Sequence, residues 1–325
     1  MMKDEECPLI SIVMLNYNGL EYLKKTVPSV LELNYPNYEY IIVDNGSSDG
    51  SIDFIRGFER IRLVENGENV GYSKGKNIGF REANGEYVLS LDNDILLTDQ
   101  DILGKLLSMR GKDTGFIQVL FTDIDTMHTK YYGIYFSFYG ANLHLKPQDV
   151  EKIRNCKKQI PIGAATGGCF FVSKKNWDYI GGFDESQSFN LDDMDVGPRA
   201  WMYGFKNYLY TGSYAIHLGI NKTQTAESYA NRFRLFFSGH ARSMIKNYRL
   251  GSLIICLPSL FAFQFVKSLR YSVKKTSPKI FLAFLGSVGF FLKNLPDTLD
   301  QRRIVQSKRT VSNDLFLKIE PPKFD

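Results

Sequence analysis

The chain has 325 residues, of which 44% are hydrophobic and 23% are charged. This balance is that of a folded globular protein, and it excludes a disordered tail, a collagen-like fibre and a small disulfide-rich protein. The formal net charge of +5 is unevenly distributed, because residues 1–220 contain 22 basic and 29 acidic residues whereas residues 221–325 contain 18 and 6. An acidic body with a basic C-terminal segment predicts two separate tasks.

The cysteines and the N-terminus indicate a protein of the cytosolic side. Cys7, Cys156, Cys169 and Cys256 lie far apart without a CxxC pair, so neither a zinc site nor a disulfide framework is predicted. This usage fits a reducing compartment. The acidic start, followed by a short apolar run, does not resemble a secretory signal.

The first hundred residues predict strands and helices in alternation. The predicted strands are Ile10–Leu15, Tyr40–Val43, Ile61–Val64 and Glu86–Leu91, and the helical patterns cover Leu20–Leu31, Ile52–Phe58 and Gly71–Ala83. Alternation with short connections predicts an α/β fold with a mostly parallel sheet and helices on both faces. Ligands of such sheets bind outside the carboxyl ends of the strands.

Polar clusters follow three of these strands and are therefore expected to meet in one crevice. They are NYNG at 16–19, DNGSSDG at 44–50 and DND at 92–94. The chain lacks a phosphate-binding P-loop and a dinucleotide-binding glycine motif after the first strand. Asp44, Asp92 and Asp94 instead favour a nucleoside diphosphate bound through Mg²⁺ or Mn²⁺. A lone DND is more often a polar turn, but its place at a strand end favours a site.

The middle of the chain adds a third group of carboxylates. Asp192, Asp193 and Asp195 open a helix predicted over Val196–Tyr203. Acidic residues are common at helix N-termini, yet their mutual repulsion is expected to raise at least one pKa, as a general base requires. The aromatic stretch Tyr131–Tyr139 alternates like a hairpin, and a place in the core is favoured over stacking on an acceptor sugar.

The C-terminal segment contains two long apolar runs, Leu253–Val266 and Ile280–Leu292. With 14 and 13 residues they are shorter than the roughly 20 residues that a spanning helix needs. Basic residues lie between them, at Lys267, Arg270, Lys274, Lys275 and Lys279. The pattern favours contact of residues 250–295 with an anionic membrane surface over two buried helices joined by a basic linker. Nucleic-acid binding is not predicted, because the basic residues interleave with apolar runs.

Seven sequence blocks in order carry a family resemblance. They are SIVMLNYNG, IIVDNGSSDGS, NVGYSKGKNIGF, GEYVLSLDND, TGGCFFVSKK, GGFDES followed by LDDMDV, and IHLG. The chain resembles a family 2 glycosyltransferase of the GT-A fold, in particular the non-processive, rhamnosyltransferase-like members, from about Ser11 to Gly219. The resemblance implies a catalytic domain over 1–220, with a nucleotide-sugar half at about 8–97 and an acceptor half at about 98–220. Residues 221–325 would form a helical, membrane-associated appendage.

The resemblance also implies residues that bind the nucleotide. Leu15, Tyr17 and Asp44 match positions that hold the nucleobase, and Asn77 matches a position that lines the nucleotide pocket. Asp92 would face the ribose. For Asp44 a cap of the DNGSSDG turn is a second role compatible with the first, and for Asn77 the alternative is a place on the helix surface.

The same resemblance implies a metal site and a base. Asp94 and His217 match residues beside the cation and the diphosphate, although a lone histidine is more often structural. Asp193 matches the general base of inverting transfer. Asp192 stands where the family usually has glutamate, and Asp195 is expected to orient its neighbours.

The predicted function is transfer of one sugar to a lipid-linked or polysaccharide acceptor at the cytosolic membrane face. Gly197–Trp201 lacks the glutamine and the spacing of the QxxRW motif, which disfavours chain polymerisation. Gly167 and Gly168 permit close approach to a sugar or form a bulge. The alternatives are a sugar nucleotidyltransferase, which normally has a glycine-rich triphosphate loop, and a membrane-bound module that binds nucleotide sugars without turnover.

Overall fold

Strands and helices alternate through the first hundred residues of the computed structural model, which describes residues 7–123, 129–131, 133–139, 142–143, 152, 159–186, 191–219 and 226–321. The strands are β1 (Ile10–Asn16), β2 (Tyr38–Asp44), β3 (Ile61–Glu65), β4 (Tyr87–Asp92), β5 (Ile95–Leu97), β6 (Thr114–Asp123), β7 (Thr129–Tyr131), β8 (Tyr135–Phe136), β9 (Asn142–Leu143), β10 (Gln159–Ile162), β11 (Cys169–Ser173) and β12 (Lys206–His217). The helices are α1 (Leu20–Leu31), α2 (Ser51–Arg56), α3 (Tyr72–Glu82), α4 (Ile102–Ser108), α5 (Lys174–Ile180), α6 (Asp192–Met202), α7 (Ala226–Asn247), α8 (Leu250–Lys274), α9 (Lys279–Lys293) and α10 (Leu295–Ser307), followed by a 3₁₀ turn at Leu315–Lys318.

The main sheet has the strand order β10-β12-β6-β11-β4-β1-β2-β3. The four strands β4, β1, β2 and β3 are parallel neighbours, as the strand and helix alternation predicts. Beyond them the sheet is mixed, because β11 runs antiparallel to both β4 and β6. The parallel half therefore holds the predicted nucleotide residues, and β11 joins it to the strands that carry the rest.

Helices cover both faces of the sheet and create two cores. Successive residues of a strand point to opposite faces, so Val13 and Leu15 join one core with α3, α5 and α6. Ile12 and Met14 join the other with α1, α2 and α4. Burial on both faces explains the continuous apolar run of β1, and the α/β fold predicted from the sequence is confirmed.

One local prediction is wrong. The helix after the aspartate cluster begins at Asp192 and not at Val196, so the carboxylates belong to its first turn. The described residues of the stretch Tyr131–Tyr139 form antiparallel pairs with partners outside the stretch, β7 with β6 and β8 with β9. Alternation shows which side chains face inward, but the choice of partner strand depends on which sheet edge is available. Tyr135 and Phe136 are buried, as expected for a place in the core.

The C-terminal helices pack against the body of the protein. Met194 and Trp201 of α6 share a third core with Phe237 of α7 and Phe284 of α9. After α10 the chain returns to α6, where the backbone N–H groups of residues 310 and 311 donate to the Met202 carbonyl. The helix that carries the predicted base therefore rests on the C-terminal segment.

One C-terminal helix is longer than its apolar run. Helix α8 has 25 residues and is long and apolar enough to cross a membrane, and the pair α9 and α10, bent by 59°, passes the same test together. The sequence argument that the runs are too short to span therefore does not hold for α8. Its helix extends past Val266 into the basic residues, which a count of apolar residues alone leaves out.

Candidate active site

The carboxyl ends of the central strands bring the predicted polar residues to one edge of the sheet. Asn16 pairs in register with Asp44, and Leu15 pairs with Asp92. The last strand ends at His217, which pairs with Ile95 directly after the DND turn. The DND turn and His217 therefore meet, although His217 follows Asp94 by 123 residues in the chain.

Hydrogen bonds anchor the DND turn on two sides. Asn93 donates from its amide to the Asn16 side-chain oxygen at 2.7 Å, and its carbonyl accepts from the Thr26 hydroxyl at 3.0 Å. This anchoring explains why a neutral residue stands between the two aspartates. On the other side, the Leu218 N–H donates to the Asp94 carbonyl at 2.8 Å and holds the turn against the end of β12.

Asp94 and His217 form a pair that fits a divalent cation. The Asp94 Oδ2 atom lies 3.2 Å from His217 Nε2. A Cβ atom on Gly219 would lie 2.6 Å from that carboxylate oxygen and 3.0 Å from that nitrogen, so only glycine leaves the space in front of both groups open. A carboxylate oxygen and an imidazole nitrogen are suitable ligands for Mn²⁺, and the carboxylate alone suits Mg²⁺.

The pair does not form a complete metal cage. Within the residues that the structure describes, no group of three or more histidine, cysteine or acidic side chains is placed to hold an ion. Mg²⁺ and similar ions usually keep several positions for water and substrate phosphates. The two side chains therefore fit an ion that binds together with a diphosphate.

Asp92 is tied to helix α3. Its Oδ1 atom lies 2.9 Å from the ammonium of Lys76 and accepts from the Tyr72 hydroxyl at 3.0 Å. Burial raises the pKa of Asp92 above its ordinary value, against the opposing effect of the Lys76 charge. The side chain remains partly exposed, so its other oxygen can accept a hydrogen bond from a ligand hydroxyl.

Lys76 is a site residue that the sequence analysis missed. It is fully buried and also donates to the Ser90 hydroxyl at 3.0 Å and to the Leu91 carbonyl at 2.7 Å. One signal was available, because Lys76 precedes the core residue Phe80 by one helical turn and so falls on the inward face of α3. A buried ammonium at this edge adds positive charge beside the carboxylates.

Asp193 approaches the same cleft from helix α6. A Cβ atom on Gly167 would lie 2.5 Å from the Tyr72 hydroxyl and 3.0 Å from the Asp193 Oδ1 atom. Tyr72 in turn contacts Asp92, so Gly167 lies between the Tyr72–Asp92 pair and the Asp193 carboxylate. A side chain at position 167 would push Tyr72 and Asp193 apart. Asp193 therefore lies near Asp92, the first aspartate of the DND turn that also carries Asp94.

The surroundings of helix α6 raise the pKa of two of its carboxyl groups, Asp193 and Asp192, as a general base near neutral pH requires. Burial raises the pKa of Asp193 well above its ordinary value, and the Asp192 and Asp92 charges raise it further, whereas the Gly167 backbone and Lys76 act in the opposite direction. Burial also raises the pKa of Asp192 to about 7, against a hydrogen bond from the Ser73 hydroxyl. The repulsion expected from the sequence is present, but burial is the larger cause.

Asp195 points away from the cleft and anchors α6 to α7. It is fully buried, pairs with Arg199, and accepts from Lys246 Nζ at 2.9 Å and from Asn247 Nδ2 at 2.8 Å. Burial alone would raise the pKa of Asp195, but Arg199 and Lys246 outweigh it and hold the pKa below its ordinary value. Lys246 also contacts Asp184 at 2.6 Å, which joins a second segment to the anchor.

Replacing Lys246 by methionine is expected to lower the free energy of unfolding by about 3 kcal/mol, because two buried carboxylates lose a cation. Arg199 and Arg242 remain as partners and limit the loss. Chemical denaturation at neutral pH measures the change. The exposed Lys293 provides the control, since its replacement by methionine removes no buried pair. A loss below about 1 kcal/mol for Lys246→Met, the typical size for an exposed pair, would contradict the assigned role.

The predicted nucleobase residues lie at the ends of β1 and β2 and differ in how far their side chains are exposed to a ligand. Tyr17 is 48% exposed just beyond β1, so its ring is open to stacking. Leu15 is buried against α3. The Asp44 carboxylate is fully buried and accepts from the Ser47 N–H and hydroxyl, both at 2.7 Å, and from Asn16 Nδ2 at 2.8 Å. Asp44 therefore caps the DNGSSDG turn, which was the second role given for it.

Asn77 stands apart from these residues. Its amide donates to the Phe183 carbonyl at 2.9 Å and to Glu185 at 3.0 Å, and its oxygen accepts from the Phe183 N–H at 3.0 Å. All of these bonds hold the segment before α6 onto α3. Both Nδ2 hydrogens are engaged in these bonds, so Asn77 could contact a nucleotide without losing one of them only through a further hydrogen bond accepted by Oδ1.

Comparison with known proteins gives one family. A family model described as "Glycosyl transferase family 2" matches residues 11–180. The chain is 40% identical over 91 residues to the putative teichuronic acid biosynthesis glycosyltransferase TuaG of Bacillus subtilis, which covers 27% of this chain and 36% of that protein. It is 29% identical over 158 residues to the glycosyltransferase GlyG of Streptococcus pneumoniae serotype 4, covering 45% and 49%. The chain thus spans less than half the length of these relatives.

A solved structure resembles the whole fold. It is a mannosyltransferase from Pyrobaculum calidifontis in complex with GDP-mannose and Mn²⁺, with a TM-score of 0.57 and 16% identity. The superposition covers 94% of this chain and 86% of the other, so it includes the C-terminal helices. At this identity the likeness shows a shared fold, the GT-A fold, and nothing about the substrate.

Proposed function

The chain belongs to glycosyl transferase family 2, and from this membership we propose that it transfers a single sugar from a nucleoside-diphosphate sugar to a saccharide or lipid-linked acceptor, with inversion at the anomeric carbon. One observation carries the proposal: Asp94 lies 3.2 Å from His217 at the carboxyl edge of the sheet, and Asp92 of the same turn contacts Tyr72, whose hydroxyl adjoins Gly167 and Asp193. Non-processive transfer is part of the proposal, since α6 lacks a QxxRW motif.

The residues of the cleft divide into a donor side and an acceptor side. On the donor side, Tyr17 would stack on the nucleobase. Leu15 and Asp44, at the ends of β1 and β2, would form the edge of the sheet against which the base lies. Asp92 would accept a hydrogen bond from the ribose. Asp94 and His217 would hold Mg²⁺ or Mn²⁺, which when bound neutralises the charge of the departing diphosphate.

On the acceptor side, Asp193 would remove the proton from the acceptor hydroxyl. The hydroxyl oxygen bonds to the anomeric carbon while the bond from that carbon to the diphosphate breaks, and the proton stays on the Asp193 carboxyl group. A base with a raised pKa suits this task near neutral pH. In this scheme Asp193 acts on the acceptor side of the anomeric carbon, and Asp94 acts on the side of the leaving diphosphate.

The place of the reaction is proposed to be the cytosolic face of a membrane. The apolar and basic C-terminal helices support membrane association. Relatives include the putative teichuronic acid glycosyltransferase and a poly-β-1,6-N-acetyl-D-glucosamine synthase of Staphylococcus epidermidis, which supports a polysaccharide as the acceptor class.

A donor screen tests the function. The purified protein is incubated with a panel of nucleotide sugars and Mn²⁺, and the released products are identified. We expect slow release of a nucleoside diphosphate from one donor, faster with acceptor, and the anomeric configuration of the product is then determined by NMR. Release of pyrophosphate would instead identify a nucleotidyltransferase. Metal-dependent binding without any release would identify a binding module.

A further inference from the structure

Helices α8 and α9 expose apolar faces to the surroundings. On α8, Ile254 is 66% exposed and Val273 is 81% exposed, and on α9 Leu282 is 60% exposed. Further exposed apolar side chains of the two helices are Leu250, Ile255, Phe265, Val266, Leu269, Leu285, Phe290 and Leu292. Single exposed apolar residues need no explanation, but two whole helix faces of this kind mark a contact surface.

The inward faces of the same helices combine apolar side chains with a few buried polar ones. Gln264 and Ser268 of α8 and Ser287 of α9 are all buried. The serines donate to carbonyls of their own helices, while Gln264 Nε2 is buried without a hydrogen-bond partner among the described residues. A helix at a water surface has polar residues on its outward face. The apolar outward faces of α8 and α9 therefore indicate that the medium outside the two helices is apolar.

The charges at the ends of the helices indicate what kind of apolar medium this is. No charged residue occurs from Leu250 to Val266 or from Ile280 to Leu292, and no acidic residue occurs anywhere from Ser228 to Pro296. The flanking basic residues are Arg249, Lys267, Arg270, Lys274, Lys275, Lys279 and Lys293. A face that is apolar in the middle and only positive at its borders is complementary to a bilayer leaflet with anionic headgroups.

Packing of the inward faces decides how the two helices meet that leaflet. Phe237 of α7 contacts Phe261 of α8 and Phe284 of α9, with ring centroids 4.8 Å and 5.3 Å apart. Phe261 also contacts Phe291 near the far end of α9, at 5.9 Å. Helix α7 is itself bound through Lys246 to Asp195 of α6, the helix that carries the proposed base Asp193. A helix held along one face by the protein body presents only its other face to lipid.

We infer that α8 and α9 form an in-plane docking surface for an anionic membrane leaflet, in which the two helices lie at the level of the headgroups and do not cross the bilayer. The inference rests on the proposed function for its membrane location. It is more specific in naming the partner, a leaflet with anionic lipid, and the mode of contact. Its test requires no turnover. The docking inference can therefore fail while the proposed transfer reaction holds, and the transfer reaction can fail while the docking inference holds.

Vesicle flotation tests the partner. The full chain is expected to float with vesicles of phosphatidylcholine containing phosphatidylglycerol and to bind pure phosphatidylcholine vesicles more weakly, with a loss of about fivefold for each basic residue that loses its anionic partner. Ile254→Glu combined with Leu282→Glu should weaken binding to both vesicles by at least about tenfold, because two apolar contacts are replaced by charges. Lys274→Ala combined with Lys275→Ala should weaken only the binding that depends on phosphatidylglycerol.

Matched controls separate docking from misfolding. Ile304 is exposed on α10, outside the proposed surface, and Ile304→Glu should leave vesicle binding unchanged. All variants should retain nucleotide affinity in detergent. Equal binding of the Ile254→Glu and Leu282→Glu variant and the unaltered chain would overturn the inference. So would a change in its oligomeric mass with no change in flotation, which would identify a second copy as the partner of this face.

Labelling with a membrane-impermeant thiol reagent tests the in-plane mode. Gly251→Cys and Lys275→Cys each add one thiol at an end of α8, in a chain whose Cys256 is replaced by serine, and the labelled peptides are identified by mass spectrometry. Protein added to preformed vesicles should be labelled at both positions. Protection of one end alone would show that α8 spans the bilayer and would overturn the in-plane arrangement.

Discussion

Asp193→Asn is expected to lower turnover by at least about a hundredfold while leaving donor affinity within about twofold, since a positioned general base contributes at least that much to the rate. Asparagine keeps the shape of the side chain and its place beside Gly167 but cannot take up the acceptor proton. Single-turnover sugar transfer and nucleotide binding, measured on the same preparation, separate the two effects.

The pH dependence of the unaltered enzyme provides a second readout for this residue. The base must be ionised to act, so activity should rise as the pH increases through the pKa of Asp193. Because burial and the neighbouring carboxylates raise that pKa, the acidic limb of the rate profile should lie well above the range of an ordinary carboxyl group, about 4. The Asn variant should lose this limb.

The exposed Asp300 supplies the control for Asp193. Asp300→Asn removes a carboxylate that pairs only with Arg303 on the surface of α10, so turnover and its pH profile should not change. Turnover of Asp193→Asn near that of the unaltered enzyme, with the acidic limb still present, would assign the base to another group.

Asp94→Ala is expected to abolish cation-dependent nucleotide binding, with a loss of more than about a hundredfold in affinity. Removal of a second-shell partner alone typically costs a metal site about 10- to 100-fold, and Asp94 supplies the only carboxylate of its pair with His217. Titration of a nucleoside diphosphate with and without Mn²⁺ measures the effect. His217→Ala should reduce the same affinity while leaving some metal dependence.

Asp113 is the matched control for the metal site. It lies before β6 at the opposite edge of the sheet and pairs with Lys206 at 2.7 Å. Asp113→Ala should retain full cation-dependent binding. If the affinity of Asp94→Ala still rises with Mn²⁺ as it does for the unaltered chain, Asp94 is not a ligand of the ion.

The parallel half of the fold could be predicted because its signals are local. The apolar run of β1 requires burial on both faces, and the turn residues after β1, β2 and β4 predict the end of each strand to within one residue. Parallel strands place their carboxyl ends at one edge by geometry alone, so the meeting of the NYNG, DNGSSDG and DND turns followed from the pattern. The blocks around Asp193 and His217 added the other two site residues.

The role of each polar side chain could not be predicted in the same way. Asp44 and Asn77 occur in the expected motifs, yet their groups bond to Ser47 and to the Phe183 backbone. Lys76 carried no motif and still contacts Asp92. A hydrogen bond between residues distant in the chain depends on how elements pack, and the spacing within one motif does not contain this information.

By itself the sequence determined the alternation of strands and helices, the edge at which the site lies, the carboxylates available there and the basic, apolar character of the C-terminal segment. Only the tertiary structure decided that burial, more than repulsion, raises the pKa of Asp193, that Lys246 ties its helix to α7, and that α8 and α9 turn apolar faces outward. The physical reason is the same in each case. Residue type and periodicity are properties of a short segment, whereas desolvation, ion pairing and the outward face of a helix depend on neighbours from elsewhere in the chain.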